Sequence, residues 1–566
     1  MFGLFKKRGK TAPKQVDLNQ GRKRARLVIG VFGLCFLAIG VRIGQLTVLG
    51  ERADPIKTAS VSKSTSLRPD IVDRTGLVMA TDLRMWSLFA NPRKILDVDE
   101  AIEELLTVFP KEDIAELRRR LTAKKGFIWL KRELSERVKN QVHDLGVPGF
   151  GFRSETKRIY PMGSVAAHVI GFADVDSQGL AGVEKFLDGR GRLYAASLSL
   201  PGKNTSTPVE LSIDARAQHA LTDELRKAVE YFSAKGAIGV IMDVHTGEMI
   251  AASSLPDFDP NDPKVALEKD RINRFSGGVF ELGSVFKAVT FAMALDAGTS
   301  TLKSRYDARS PIYVGGSSID DFHPQRRILT VPEVFTYSSN IGTAKMALGV
   351  GLAGHQAFLK KMGFFERLRT EVAEAAAPLK PRKWRRVSTM TASFGHGISV
   401  QPLQLLAAGA ALMNGGKLIK PTFLKRDKAF ADEIAVQVIR PETSRKMRYL
   451  YRLNVTKGTA RKAKVEGYAV GGKTGTAEKV IGGRYSKQHR FNSFLGAFPM
   501  DDPRYAIIVS IDEPQPRKET HGYATSGWNA VPTAGKVIKR LAPILGVLPR
   551  KDPVTAESVL NNRSGG

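Results

Sequence analysis

The feature that most constrains this 566-residue chain lies at its start. Residues 1–26 carry nine cations (Lys6, Lys7, Arg8, Lys10, Lys14, Arg22, Lys23, Arg24 and Arg26) against one acid, Asp17. Directly behind them runs an uncharged apolar stretch, Leu27–Val41. It continues past Arg42 through Leu46, Val48 and Leu49. An arginine can lie along such a stretch and lift its head toward the interface, so residues 27–49 suffice to cross a bilayer as one helix. A cleavable signal peptide has a shorter basic region and a small-residue cleavage site behind the apolar run, and this sequence has neither. The expectation is a retained single-pass anchor with the basic tail in the cytoplasm and everything beyond about residue 50 outside. No later segment is apolar enough to cross back.

That topology decides how the rest of the composition is read. The formal net charge is +31, which implies an anionic partner. On an exported body the partners at hand are membrane surface and envelope polymers rather than nucleic acid, and the other reading of the excess is a solvated basic face that assigns no site. The single cysteine, Cys35, rules out an intramolecular disulfide and a cysteine-ligated metal centre. The nine histidines show no metal-ligand spacing. No cofactor and no metal are expected. A hydrophobic share of 42% is that of a folded chain of about two to four domains.

Beyond the anchor two regions differ in texture. Residues 50–227 alternate short strand-like and helical pieces with charged segments such as Lys111–Lys125, and nothing catalytic stands out. Ser212–Phe232 reads as a helix capped by Asp214 and leads into the second region. There, Gly236–Ser254 reads as a hairpin turning at His245-Thr246-Gly247. Ser284–Gly298 is apolar all round, which marks a buried helix, and Gly298 supplies its stop. Gly467–Gly475, Phe494–Pro499 and Tyr505–Asp512 read as strands, and Thr533–Leu545 as a closing helix. Two strands, a helical middle, three strands and a helix predict an α+β layer, an antiparallel sheet with helices packed on it. Residues 551–566 read as a flexible tail.

Three short elements in this region can carry chemistry. Ser284 and Lys287, three apart on a helix, share a face. A hydroxyl becomes a nucleophile when a neighbouring base takes its proton, and a lysine in an apolar helix has its pKa lowered toward a neutral amine. The pattern itself is common: Ser60 with Lys63, Ser154 with Lys157 and Ser300 with Lys303 repeat it. Only the Ser284 copy opens a buried helix. The second element is Ser338-Ser339-Asn340, which alone is an ordinary loop or cap sequence. The third is Lys473-Thr474-Gly475-Thr476, open to two readings. Gly467–Thr474 fits the phosphate-loop pattern, yet the next segment, Gly475–Arg490, lacks the helix such a loop requires. The other reading is a strand edge whose ammonium and hydroxyls hold a substrate carboxylate.

S-x-x-K, S-x-N and K-T-G in this order resemble the penicillin-binding proteins and class A β-lactamases. Further segments resemble class B penicillin-binding proteins, the membrane-anchored peptidoglycan transpeptidases. These are Arg68–Gly76, Arg158–Phe172 and Gly179–Gly189 in the first region, and His245–Asn261 and Phe394–Leu405 in the second. Gly278–Lys287 and Ser526–Val547 are most similar to the cell-division members, with the elongation-specific members the rival. Leu282 stands where many members have proline, and Pro69 and Asp70 replace the usual glycine after Arg68. The resemblance implies a basic tail (1–26), an anchor (27–49), an elongated pedestal (50–227) and a β-lactamase-like transpeptidase domain (228–550). It implies an inner-membrane enzyme whose catalytic domain is periplasmic, working at the division septum. Lys287 would activate Ser284 to attack the D-Ala–D-Ala bond of a peptidoglycan stem peptide. Ser338 would pass the proton to the leaving amine and Asn340 would position Lys287. Lys473, Thr474, Gly475 and Thr476 would bind the terminal carboxylate and complete an oxyanion hole. β-Lactams would acylate Ser284. No segment resembles a glycosyltransferase, so the implied partners are a separate membrane polymerase of the SEDS family, other division proteins and lipid-linked precursor. The remaining function classes are a secreted β-lactamase, an idle envelope scaffold or sensor, and a P-loop nucleotide-binding protein.

Overall fold

The computed structural model describes residues 29–40, 68–189, 207–550 and 554–561. It falls into two units, residues 1–66 and 67–566. In the first, residues 29–40 are helical and expose apolar side chains including Ile29, Phe32, Leu34, Phe36 and Leu37. Among the described residues no helix is long and apolar enough to cross a membrane. The expected tail and the remainder of the expected anchor, 27–49, lie outside the described residues.

The second unit begins with a sheet built on one long strand. The strands are β1 (Ile71–Val72), β2 (Val78–Ala90), β3 (Ile128–Leu134), β4 (Phe150–Ile159) and β5 (Val209–Glu210). Their order is β3-β2-β1-β5, with β4 also on β2. The charged segment 111–125 contains a helix, Ile114–Leu121, capped by the Asp113 carboxylate and burying only Leu117 and Leu121. That stripe packs with Leu88, Leu105 and Leu130 into a core of its own.

Two arginines tie this region together. Arg158 donates to Glu184 (2.7 Å), Asp82 (3.0 Å) and the Pro69 carbonyl (2.8 Å). Arg68 donates to the other Glu184 oxygen (2.9 Å), to Asp188 (2.7 Å) and to the Glu184 carbonyl (2.8 Å). Glu184 is fully buried, and a buried charge persists only when its partners satisfy it. The departures at Pro69 and Asp70 are absorbed because both contribute carbonyls, Asp70 to the Val209 amide, 2.8 Å. Asn261 joins the two regions by accepting from the Tyr160 amide (3.0 Å) and donating to its carbonyl (2.9 Å).

The second region is built on an antiparallel sheet of β6 (Gly236–Asp243), β7 (Met249–Leu255), β8 (Gly471–Ile481), β9 (Arg484–Phe498) and β10 (Tyr505–Asp512). The order is β8-β9-β10-β6-β7, the layer expected. Helices α1 (Ala215–Phe232) and α5 (Ala530–Ile544) cover one face, meeting Ile241, Ile507, Val509 and Ile511. The other face carries Val240, Leu495 and Ile508 against a helical layer that includes α2 (Lys287–Asp296), α3 (Asn340–Val350) and α4 (Pro441–Lys457). Because both faces are covered, β6, β7 and β10 are buried along their whole length. This is why their sequences read as continuous apolar runs rather than alternating ones.

Asp214 caps α1 by accepting from the Arg216 and Ala217 amides. The hairpin turns where expected, with Gly247 at φ +76°. Helix α2 is buried from Lys287 to Leu295 and stops at Gly298, φ +73°. Two expectations need correction. Ser284 does not open the α-helix: it sits in a 3₁₀ turn, Gly283–Phe286, and Lys287 is the first α-helical residue. Residues three apart eclipse in a 3₁₀ turn, so the shared face survives. Part of the tail is ordered as α6 (Ala556–Asn561), with Ala556 and Val559 buried.

Glu184→Gln should leave two buried guanidinium groups short of a charge. The expected loss is roughly 3–5 kcal/mol, read as a lower unfolding midpoint; an unchanged midpoint would show that the network carries no stability.

Candidate active site

Lys287 is completely buried. Burial holds its pKa down at about 7, with the Asp321 carboxylate pulling the other way. Its Nζ donates to the Ser338 carbonyl (2.5 Å) and to Ser338 Oγ (3.1 Å).

Ser338 lies in the turn between the helix Val331–Thr336 and α3, at φ +58°. That left-handed backbone is uncommon for a serine and has to be held. Ser339 holds it from one side: its Oγ accepts from the Gly342 amide (3.0 Å), capping α3, and donates to Asp321 (2.7 Å). Asp321 also accepts from the Ile341 amide, 3.0 Å. Asn340 donates to the Asp320 carbonyl (2.8 Å), so its amide braces the turn and forms no hydrogen bond to Lys287 among the described residues. Asp321 escapes a reading of the sequence. It lies in an irregular loop with no motif or period to mark it.

Lys473 arrives from the sheet. On β8 it pairs with Leu495 of β9, and like Lys287 it is fully buried. Its Nζ donates to Ser338 Oγ (2.9 Å) and to the Thr474 carbonyl (3.2 Å). Burial first, and then the Lys287 charge, hold its pKa well below the ordinary lysine value. One hydroxyl, with two acceptor lone pairs, thus receives both amines.

Ser284 stands half-buried beside them, its Oγ without a hydrogen bond among the described residues. Its turn is wedged between two backbones. A Cβ on Gly475 would lie 2.6 Å from the Leu282 carbonyl and 2.9 Å from the Val285 amide nitrogen. A Cβ on Gly395 would lie 2.4 Å from the Gly283 carbonyl. Glycine at 475 and 395 is what lets β8 and the 395 turn close on Ser284. Thr474 Oγ1 meets Thr459 Oγ1 (2.9 Å), and Thr476 Oγ1 accepts from the Ser526 amide (3.0 Å). β8 is an edge strand of the sheet.

The structure brings Ser284, Lys287, Ser338, Lys473, Thr474, Gly475 and Thr476 together where the Gly283–Phe286 turn, the Ser338 turn and β8 meet, with Asn340 next to them on α3. The rival patterns do not assemble. Ser154 and Lys157 lie on β4, Ser300 bonds Tyr306 (2.5 Å), and Ser60 with Lys63 lies outside the described residues. The phosphate-loop reading is overturned: Gly471–Ile481 is a strand, where such a loop requires a helix N-terminus.

Residues 237–537 match the family described as the penicillin binding protein transpeptidase domain. Residues 63–188 match the penicillin-binding protein dimerisation domain. The chain is 38% identical to the probable peptidoglycan D,D-transpeptidase FtsI of Caulobacter vibrioides, over 94% of this chain and 90% of that one. It is 34% identical to the probable peptidoglycan D,D-transpeptidase PenA of Neisseria gonorrhoeae, over 94% of each. It is 28% identical to the peptidoglycan D,D-transpeptidase FtsI of Escherichia coli K12, over 88% of each. A peptidoglycan synthetase from Bifidobacterium adolescentis shares the fold, with a TM-score of 0.67 at 19% identity over 87% of this chain and 98% of that one.

Asp321→Ala removes the acceptor of both the Ser339 hydroxyl and the Ile341 amide. The expected loss is about 1–3 kcal/mol for each buried donor left unpaired, measured by urea unfolding. A variant as stable as the parent would show that Asp321 does not hold the Ser338 turn.

Proposed function

The chain belongs to the class B penicillin-binding proteins, and from that premise we propose that Ser284 is the nucleophile of a serine D,D-transpeptidase crosslinking peptidoglycan stem peptides at the division septum. The observation that carries the catalytic assignment is the convergence of Lys287 and Lys473 on Ser338 Oγ. Lys287, whose amine burial holds at a pKa of about 7 so that a substantial neutral fraction exists near neutral pH, takes the Ser284 proton as Oγ attacks the carbonyl between the two terminal D-alanines. The proton passes through Ser338 to the nitrogen of the departing D-alanine as the C–N bond breaks. Backbone amides of Ser284 and Thr476 face the carbonyl oxygen, each such donor being worth ~10²–10³ in rate. Lys473, Thr474 and Thr476 receive the terminal carboxylate, with Gly475 giving the backbone room. The approach of that anion restores the Lys473 charge that burial suppresses. Asn340 acts as a brace on the Ser338 turn. A primary amine from a neighbouring stem peptide then takes the acyl group. β-Lactams acylate Ser284 and stall there.

The septal assignment rests on the likeness to the two FtsI proteins across nearly the whole chain. We take residues 1–26 as a cytoplasmic tail, 27–49 as a single-pass inner-membrane anchor, 50–227 as the pedestal and 228–550 as the periplasmic transpeptidase domain. Glycan strands come from a separate membrane polymerase of the SEDS type, with which other division proteins assemble.

Ser284→Ala should abolish covalent labelling by a fluorescent penicillin while the protein keeps its unfolding midpoint; persistent labelling would refute the nucleophile assignment. Lys473→Ala should slow acylation by carboxylate-bearing β-lactams far more than it lowers stability. Equal losses would mark Lys473 as structural. A fluorescent fusion should concentrate at midcell, and a sidewall pattern would move the enzyme to elongation. Failure to crosslink supplied lipid-linked substrate would favour an idle scaffold.

A further inference from the structure

Three residues upstream of Ser284, Glu281 stands half-buried. Its Oε1 accepts from the Gly397 amide (2.9 Å), and both its oxygens lie 3.2 Å from the Tyr485 hydroxyl. Tyr485 comes from the start of β9, paired with Val480, four residues past Thr476 along β8. The His396 ring lies against Tyr485, with centroids 5.5 Å apart and planes 23° apart. Burial, joined by the Lys287 charge, holds the His396 pKa down at about 4, so the ring is neutral and sits near the catalytic amine. These groups lie beside the part of β8 beyond the K-T-G threonines.

Among the described residues Glu281 has no cation, a state it shares with the buried or half-buried Asp73, Glu371 and Glu374, and it lies three residues from Ser284. In a chain of net charge +31, a partly buried carboxylate would be expected to have found an arginine or lysine, yet among the described residues Glu281 forms no ion pair. Burial pushes its pKa above the ordinary glutamate value. Local desolvation of its hydroxyl pushes the otherwise half-exposed Tyr485 phenol up to about 12, with the charges of Glu281 and of Glu478, a second carboxylate on β8, adding to the effect. Two carboxylates, neither of them in an ion pair among the described residues, beside two aromatic faces are the chemistry that receives an alkylammonium. The reaction proposed above needs such a group in its second half.

We propose that Glu281, positioned by Tyr485 and Gly397 and flanked by His396, is the acceptor subsite: it binds the side-chain ammonium of the incoming stem peptide and takes its first proton. The inference rests on the transpeptidase reading and adds the residue that selects amine over water. In transfer, the ammonium gives one proton to the Glu281 carboxylate, and the freed nitrogen attacks the acyl carbonyl. As the C–N bond forms, a second N–H proton passes to Lys287. The bond between the carbonyl carbon and Ser284 Oγ then breaks, and that proton returns to Oγ. The proton on Glu281 leaves to solvent.

The test uses the full chain, a thioester analogue of the donor stem peptide and a peptide with a free lysine side chain as acceptor. The readout is the ratio of aminolysis to hydrolysis of one acyl-enzyme, which does not depend on how fast that acyl-enzyme formed. In Glu281→Gln this ratio should fall by at least about tenfold, with a higher acceptor concentration needed for half-saturation. Tyr485→Phe, at an exposed position, removes one donor from the carboxylate and should move the ratio the same way by less. It also supplies the answer should Glu281→Gln fail to fold. A ratio unchanged in the folded variants overturns the proposal, as does a slower acylation with the ratio intact, which would make Glu281 a brace of the Ser284 turn. If the parent forms no acyl-enzyme with the thioester, it is the transpeptidase reading that falls.

Discussion

A single oxygen, Ser338 Oγ, accepts from two lysines that water does not reach. The distances of 3.1 Å and 2.9 Å place the two Nζ atoms within roughly 6 Å of one another. Two ammonium charges at that separation repel by about 3 kcal/mol at the effective dielectric of a protein site, on top of the penalty of burying each. Burial and this repulsion both disfavour the doubly charged state, so one amine is held toward its neutral, proton-accepting form before substrate arrives. The reactivity assigned to Ser284 depends on that enforced neutrality more than on any direct contact it makes.

The surrounding fold reads as the means of keeping those three groups together. Lys287 begins a helix that is buried on every side and cannot rotate its amine away. Lys473 is held from the sheet, in register with Leu495. Ser338 is the element under strain, and the Ser339–Asp321–Ile341 hydrogen bonds hold its backbone in a conformation that serine seldom adopts. Strain of this kind persists where the surroundings over-determine it. The same close construction explains Gly475: any side chain there would drive β8 off the turn that carries Ser284.

Much of this was legible in the residues because local and global signals agreed. The hairpin at Gly247, the Asp214 cap, the Gly298 stop and the buried strand Tyr505–Asp512 all follow from turn chemistry and apolar runs. The phosphate-loop letters could be set aside because no helical period comes after them. The features that stayed hidden depended on side-chain direction or on distant partners. The 3₁₀ turn at Ser284 has no period of its own, since it is imposed by the packing of Gly283 between Thr476 and Gly395. Asn340 points to Asp320 and Lys473 points to Ser338 because of loops and strands far away in sequence. Asp321 had no signal of its own. Helix α6 escaped notice because two small apolar residues in a polar tail are too few to show an amphipathic pattern.

The most direct test is a titration of Lys287 itself. With lysine side chains labelled with ¹³C at Cε, and Lys287→Arg used to assign the resonance, NMR follows its protonation from pH 5 to pH 11. The expected midpoint is about 7, where burial holds the amine, with the neutral form dominant above it. A midpoint near the ordinary lysine value of about 10.4 would mean that Lys287 is charged at neutral pH, and the proposed base would not exist.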